Sequence, residues 1–349
     1  MAVLAGASQA STGRFSGQRP GHSGGLEARK PPIPAHKMTT ATANSPLISV
    51  LMPIYNHEAF VRIGLDSVVQ TRHRPVEIVA IDDGSTDQSF AIAEAWQASL
   101  ADPQISMQLL RQDNQGLVKT LNRQVRLARG EFFALLASDD FLQPDGLGWL
   151  LDGLQKHPEW MAAIGDAILV DQEGQVTASS ALTDFFRVNK RALLDRRFIT
   201  REMILRWGVP GGAIMIRRHS FHGGEGIGFY DESLPFEDRD YFLKLLARNA
   251  VGFVDAPVSG YRRHSANFFK VPDREKLARY YRGLHQAEVQ NLPLFRGGDW
   301  LGLRLTSWMA WTLYQRTLAP GRWLDLKVRL LWILMRMAYW RHERRVAAA

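Results

Sequence analysis

Among the chain's adjacent carboxylates, three pairs stand where they could do chemistry: Asp82-Asp83 in "VEIVAIDDGSTD", Asp139-Asp140 in "EFFALLASDD" and Glu237-Asp238 in "PFEDRDYFLKLL". Ionised carboxylates side by side repel, so a cluster of them calls for a cation, a hydrogen-bond donor or a proton. As hard oxygen ligands they suit Mg2+ or Mn2+, which one or two protein carboxylates hold together with substrate phosphates. A carboxylate whose surroundings raise its pKa can instead take a proton from a hydroxyl. The plainer reading is that Asp, Asn, Gly and Ser make turns and cap helices. Capping of a helix from 88 to about 100 would account for Asp83, Ser85 and Asp87. It leaves Asp82 and the second pair unexplained, because one cap serves one helix.

A sheet could gather these acids. Five β-rich runs end in turn or polar residues: "LISVLMPIYN", "VEIVAIDDGS", "ISMQLLRQDN", "EFFALLASDD" and "MAAIGDAILVD". Such near-continuous apolar runs suit strands covered on both faces. Between them Leu117, Leu121, Val125 and Ala128 fall at helical spacing, and Gly130 stands where a helix end favours a left-handed residue. The alternation predicts an α/β fold with a mostly parallel open sheet and helices on both faces. Ligands then bind beyond the carboxyl ends of the strands. That rule brings Asn56, Asp82, Asp83, Asn114, Asp139 and Asp140 to one edge.

Composition narrows the classes. A chain of 349 residues with 46% apolar content can bury one large core or two small ones. Its net charge of +8 suits anionic partners, whether phosphates, nucleic acid or acidic lipid. The absence of cysteine excludes a disulfide framework, a thiolate nucleophile and a Cys-based zinc site. Residues 1–45, rich in Ala, Gly, Ser, Thr and Pro, are expected to be disordered and carry no apolar secretory core. A transit peptide would share their composition, and Met38 is an alternative start. The expected organisation is a folded domain over 46–270 followed by a helical tail over 271–349.

"PIYN" (53–56), "IDDGSTD" (81–87), "NQG" (114–116), "ASDD" (137–140) and "FEDRDYFLKLL" (236–246) together resemble, in order and spacing, the inverting family 2 glycosyltransferases. The resemblance covers roughly residues 46–265 and implies the nucleotide-sugar-binding glycosyltransferase A fold, with a catalytic domain over 46–270 divided into a nucleotide-binding half (46–145) and an acceptor half (146–270). It implies transfer of a hexosyl or N-acetylhexosaminyl group from a nucleotide-diphosphate donor, a UDP-sugar by expectation, to an acceptor hydroxyl, in cell-envelope or exopolysaccharide synthesis. A departing nucleoside diphosphate gathers negative charge, which Mn2+ or Mg2+ offsets as a Lewis acid. By the same resemblance Pro53 and the Tyr55 ring frame the base at the strand end that Asn56 closes, Glu58 lies near it, and Asp82 accepts from a ring N–H. Asn114 and Gly116 open the next helix, where glycine permits close backbone approach. Lys119 reaches phosphate, although an exposed helix lysine is the commoner finding.

Ser138 stands where many members carry the first acid, so the weight falls on Asp139 and Asp140. The resemblance implies Asp140 as metal ligand and Asp139 near the ribose or donor sugar. It implies Asp238 as general base and Glu237 in contact with acceptor or donor, against the rival that Asp238 merely caps a helix. Gly211 and Gly212 in "WGVPGGAIMIRRHSF" would let the sugar lie against backbone. In "YRRHSAN", His264 would be a third metal ligand and Arg262 or Arg263 a phosphate contact.

The tail holds six of the ten tryptophans, with Arg322, Arg329 and Arg336 recurring every seven residues. This basic amphipathic pattern is too interrupted by charge to span a bilayer. It fits a membrane surface, and equally a helix packed on the domain or in a dimer. The expected partners are a nucleotide-sugar donor, a glycan or lipid-linked acceptor and a membrane surface, with the protein cytoplasmic or peripheral on the inner face of the plasma membrane. Nucleic acid is not expected, since no zinc or helix-turn-helix signature accompanies the charge. A haloacid-dehalogenase-type phosphatase needs one residue between its two acids, and Asp82-Asp83 has none. An oxidoreductase would show a Gly-any-Gly-any-any-Gly turn, which "PIYNHEAF" lacks. A non-catalytic nucleotide-sugar-binding member of the same fold stays open as the alternative.

Overall fold

A computed structural model describes residues 45–222, 224, 226–264 and 273–349. The expectations for residues 1–44 lie outside them, as does the end of "YRRHSAN". Nine strands form one sheet: β1 (Ile48–Ile54), β2 (Val76–Asp82), β3 (Ile105–Arg111), β4 (Phe132–Leu135), β5 (Phe141–Leu142), β6 (Ala162–Val170), β7 (Val176–Ala178), β8 (Ile214–Arg217) and β9 (Val251–Arg262). Their spatial order is β3-β2-β1-β4-β8-β6-β9-β5, with β7 beside β6.

The first half follows the alternation read from the sequence. Strands β1 to β4 pair in parallel, and helices α1 (Val61–Gln70), α2 (Ser89–Ala98) and α3 (Leu117–Leu127) connect them. Successive residues point to opposite faces. Leu51, Val79 and Phe133 therefore meet Val118, Leu121 and Val125 of α3 on one face. Val50, Ile78 and Ala134 meet Val61, Leu65 and Val68 of α1 and Trp96 of α2 on the other. Two details differ from the periodicity. Leu117 is exposed because the buried face of α3 begins at Val118. Gly130 does not take a left-handed backbone; a Cβ there would lie 2.7 Å from the Ser49 nitrogen, so close strand approach demands the glycine.

Beyond β4 the sheet becomes mixed. After α4 (Gly146–Lys156), β6 pairs antiparallel with β8, which is antiparallel to β4, while β9 runs parallel to β6. Two reversals cancel, so β6 and β9 end at the same edge as β1 to β4, and β8 starts there. The short helices α5 (Ala181–Asp184), α6 (Lys190–Leu193) and α7 (Ile199–Leu205) precede β8. Helix α8 (Asp238–Ala247) runs back to the start of β9, which sets its own start, at Asp238, toward the carboxyl edge.

The last three helices, α9 (Arg274–Asn291), α10 (Gly297–Leu318) and α11 (Arg322–Ala348), pack in sequence and close on α7 and α8. Buried polar pairs fasten them. Arg239 of α8 is ion-paired with Glu288 of α9 and donates to the carbonyls of Met203 and Ile204. His342 of α11 lies 2.9 Å from Glu202 of α7. Because an uncompensated buried charge is costly, Glu288→Gln is expected to lower unfolding stability by about 3–5 kcal/mol, read by urea denaturation. A loss below about 1 kcal/mol would mean that this pair does not anchor the tail.

Candidate active site

Every turn at the carboxyl edge is tied to its neighbour. Asn56 follows β1 with a φ of +54°, which asparagine tolerates better than most residues. Its side-chain oxygen accepts the Thr86 N–H at 2.8 Å, and its own N–H donates to Ser85 Oγ at 2.9 Å. His57 comes next: its N–H donates to Ser89 Oγ, and its Nδ1 lies 2.8 Å from Ser138 Oγ beyond β4. The β1 turn is thus fixed to those of β2 and β4.

This anchoring aims His57 at Asp139. Asp139 Oδ2 lies 2.9 Å from His264 Nε2 and 3.9 Å from His57 Nε2. The ligand atoms of the three residues all lie within 4.8 Å of one another, and the Phe60 ring packs against both imidazoles. Burial lowers the His57 pKa despite the opposing charge of Asp139. Burial pushes Asp139 upward, but the His264 hydrogen bond and the two imidazoles leave it below the ordinary carboxylate value. The result is a carboxylate flanked by two imidazoles, a donor set that fits Mn2+ and similar divalent ions.

The structure therefore puts Asp139, not the expected Asp140, beside His264. Asp140 is buried and its Oδ1 accepts the Arg262 N–H at 2.8 Å, which brackets β4 to β9. Burial, then the charge of Asp139, raises its pKa well above the usual range. Arg262 is equally structural: it donates to the carbonyls of Asp139, Asp171 and Gln172 and lies over Phe60 and Phe141. The Arg263 guanidinium sits over Phe185.

The β2 end divides its two acids. Asp83 accepts from the backbone of Gln115 and Gly116 and from Gln112 Nε2, each at 2.8 Å, so it holds the turn before α3 and does not cap α2. Gly116 occupies the left-handed region at φ +87°. Asp87 is the acid that serves α2, accepting the Ser89 N–H. Asp82 is fully buried; its Oδ1 accepts the Ser85 N–H, and its Oδ2 has no hydrogen-bond partner among the described residues. An orphaned buried acceptor is costly, which fits an N–H arriving with a ligand. Tyr55 is 48% exposed and Pro53 half-buried beside it, while Asn114 and Lys119 are exposed at the rim. Glu58 accepts the Gln88 N–H and is committed to α2.

The third pair opens α8. Asp238 Oδ2 accepts from Trp207 Nε1 at 2.8 Å and Oδ1 from its own helix at the Arg239 N–H. Burial raises the Asp238 pKa against both bonds. Burial and the neighbouring Asp238 push Glu237 up to about 8. Gly211, in the turn leading into β8, faces open space, whereas Gly212 packs on Ser259 and Leu136. Sequence reading did not single out His57, Trp207 or Arg239. The signal for His57 was its place immediately after the first strand end, among residues already taken as a turn.

An open parallel half joined to a mixed half, with acids at their common edge, is the architecture of a glycosyltransferase A-type fold. Over 86% of this chain and 90% of the other it superposes on the Staphylococcus aureus TarS fragment 1–349 in complex with UDP-GlcNAc, with a TM-score of 0.56 and 17% identity. A mannosyltransferase from Pyrobaculum calidifontis, in complex with GDP-Man and Mn2+, gives 0.55 at 16% identity over 89% of each chain. In sequence it is 25% identical over 223 residues to an uncharacterized glycosyltransferase of Rickettsia typhi, 64% of this chain and 65% of that one. The chain spans only 28% and 35% of the length of two other curated relatives. The model of glycosyl transferase family 2 matches residues 49–221. The chain belongs to that family.

A group whose folded pKa is raised favours folding fully below its unfolded pKa and loses that contribution as pH rises through the folded value. For Glu237 that window runs from the ordinary carboxyl value of 4.5 to about 8. Glu237→Gln is expected to leave the melting temperature nearly unchanged at pH 4 and to raise it progressively up to pH 8. Equal shifts at both ends, in thermal melts across that range, would show Glu237 to be ordinary.

Proposed function

We propose that the protein transfers a sugar from a nucleotide-diphosphate donor, a UDP-sugar in the simplest case, to an acceptor hydroxyl with inversion at the anomeric carbon. One observation carries this reading: the same sheet edge bears the His57–Asp139–His264 donor set and a separate carboxylate pair with raised pKa values. Membership of the family and the nucleotide sugars held by two solved neighbours support it.

In this reading Pro53 and Tyr55 frame the base and Asp82 Oδ2 accepts its ring N–H. His57, Asp139 and His264 hold a divalent cation, Mn2+ or Mg2+, with two imidazoles favouring Mn2+. When bound, the cation supplies positive charge against the leaving diphosphate. Asn114 and Lys119 line the approach to it, and the open backbone at Gly211 leaves room for a hexosyl or N-acetylhexosaminyl group. Asp238, oriented by Trp207, takes the acceptor proton. Glu237 stays protonated at neutral pH and donates to a donor or acceptor oxygen. The acceptor is a glycan or lipid-linked hydroxyl of envelope or exopolysaccharide synthesis, met at the cytoplasmic face of the plasma membrane.

The test is release of nucleoside diphosphate from a panel of nucleotide sugars with Mn2+. Asp238→Asn is expected to cut turnover by about 10²–10⁴-fold while donor still raises the melting temperature. Asp139→Ala is expected to abolish the Mn2+-dependent part of that rise. Near-normal turnover by Asp238→Asn would remove its assignment as base. The indole hydrogen bond favours the ionised carboxylate, so Trp207→Phe should raise the Asp238 pKa. The acid limb of the kcat/KM profile is then expected to move to higher pH, with activity recovered on the alkaline side.

A further inference from the structure

Helix α11 has two apolar faces. Val328, Leu331, Met335 and Tyr339 turn inward and pack with α10 and α7. On the other side Trp323, Leu326, Leu330, Ile333, Met337 and Trp340 are exposed, from 45% for Leu326 to 64% for Trp323. Their spacing of three and four residues sets them in one stripe about 100° wide. An exposed apolar stripe of this length asks for a cover.

Charge decides what covers it. The helix carries seven Lys and Arg against two acids, and one of those, Asp325, is ion-paired with Arg316 of α10 at 2.7 Å. By helical position Arg329 and Arg336 flank one side of the stripe and Lys327 and Arg345 the other. A second copy laid stripe to stripe would set these like charges opposite one another, which disfavours pairing. An anionic surface would complement them. Tryptophans stand at both ends of the stripe, and their rings favour the boundary between headgroup and hydrocarbon. Among the described residues no helix is long and apolar enough to cross a membrane.

We propose that α11 lies flat on an anionic lipid bilayer, its Trp323-to-Trp340 stripe sunk to the acyl boundary and its arginines on the headgroups, so that the tail docks the catalytic sheet to that surface. This deepens the membrane location proposed above and rests on it, but not on the transfer chemistry. The inward face stays bonded to the fold, so docking needs no unfolding of the tail.

The test is co-sedimentation of the full chain with vesicles of pure phosphatidylcholine or of phosphatidylcholine with phosphatidylglycerol, at low and high salt. Binding is expected to the anionic vesicles only and to weaken with salt. Leu330→Gln/Ile333→Gln/Met337→Gln, and separately Arg329→Glu/Arg336→Glu, are each expected to weaken it about tenfold or more, with nucleoside diphosphate release in free solution unchanged. All these positions are exposed, and a melting temperature matching the parent chain confirms each fold. Absence of binding to anionic vesicles would overturn the proposal. So would a parent chain that is dimeric in solution and becomes monomeric with the apolar triple substitution. Loss of nucleoside diphosphate release by the parent chain would strike the transfer reading alone.

Discussion

A carboxylate removed from water must be compensated, and the carboxyl edge of this sheet is organised around that requirement. Asp83 is answered by backbone donors ahead of α3, Asp139 by His264 with His57 nearby, Asp140 by the Arg262 N–H, and Asp238 by the Trp207 indole. Each compensation crosses from one loop to another. The charges that could do chemistry are therefore the ones that hold the loops in place.

Two of the adjacent acid pairs divide labour in the same way. In Asp82-Asp83 the second acid is saturated by the next turn, while the first keeps an orphaned oxygen. In Asp139-Asp140 the second acid is again the inner bracket, and the first meets the imidazoles. At Asp82-Asp83 the split follows from alternation at the end of β2, whereas Asp139-Asp140 lie in a turn closed by the Asp140 N–H on the Ala137 carbonyl. Glu237-Asp238 differs because it begins a helix. Both members there are pushed upward by burial, Glu237 to about 8.

Much of this was legible in the sequence. The apolar runs gave β1, β2, β4 and β6 because strands covered on both faces must be hydrophobic throughout, the half-exposed edge strand β3 was marked by its shorter apolar run, and the strand-end rule brought the acids to one edge. The antiparallel entry of β8 was not legible, since a four-residue apolar run has no directional mark. Which of Asp139 and Asp140 comes to lie beside His264 was not legible either, because it depends on which acid meets the β9 backbone more than a hundred residues away. His57 was hidden for the same reason: its partners, Ser138 and Asp139, come from a distant strand. The tail's two-sided character was half visible. Its arginine repeat stood out, but the buried His342 and Glu202 that fasten it are polar residues a pattern search assigns to the surface.

The three potential ligands come from the first strand's turn, the fourth strand's turn and the end of the ninth strand. During synthesis His57 and Asp139 leave the ribosome well before His264 does. A nascent chain that has folded only strands β1 to β4 therefore presents two members of the set without the third, which arrives only when β9 is laid into the sheet. Assembly of the three-residue set is in this sense a report that β9 has joined the sheet.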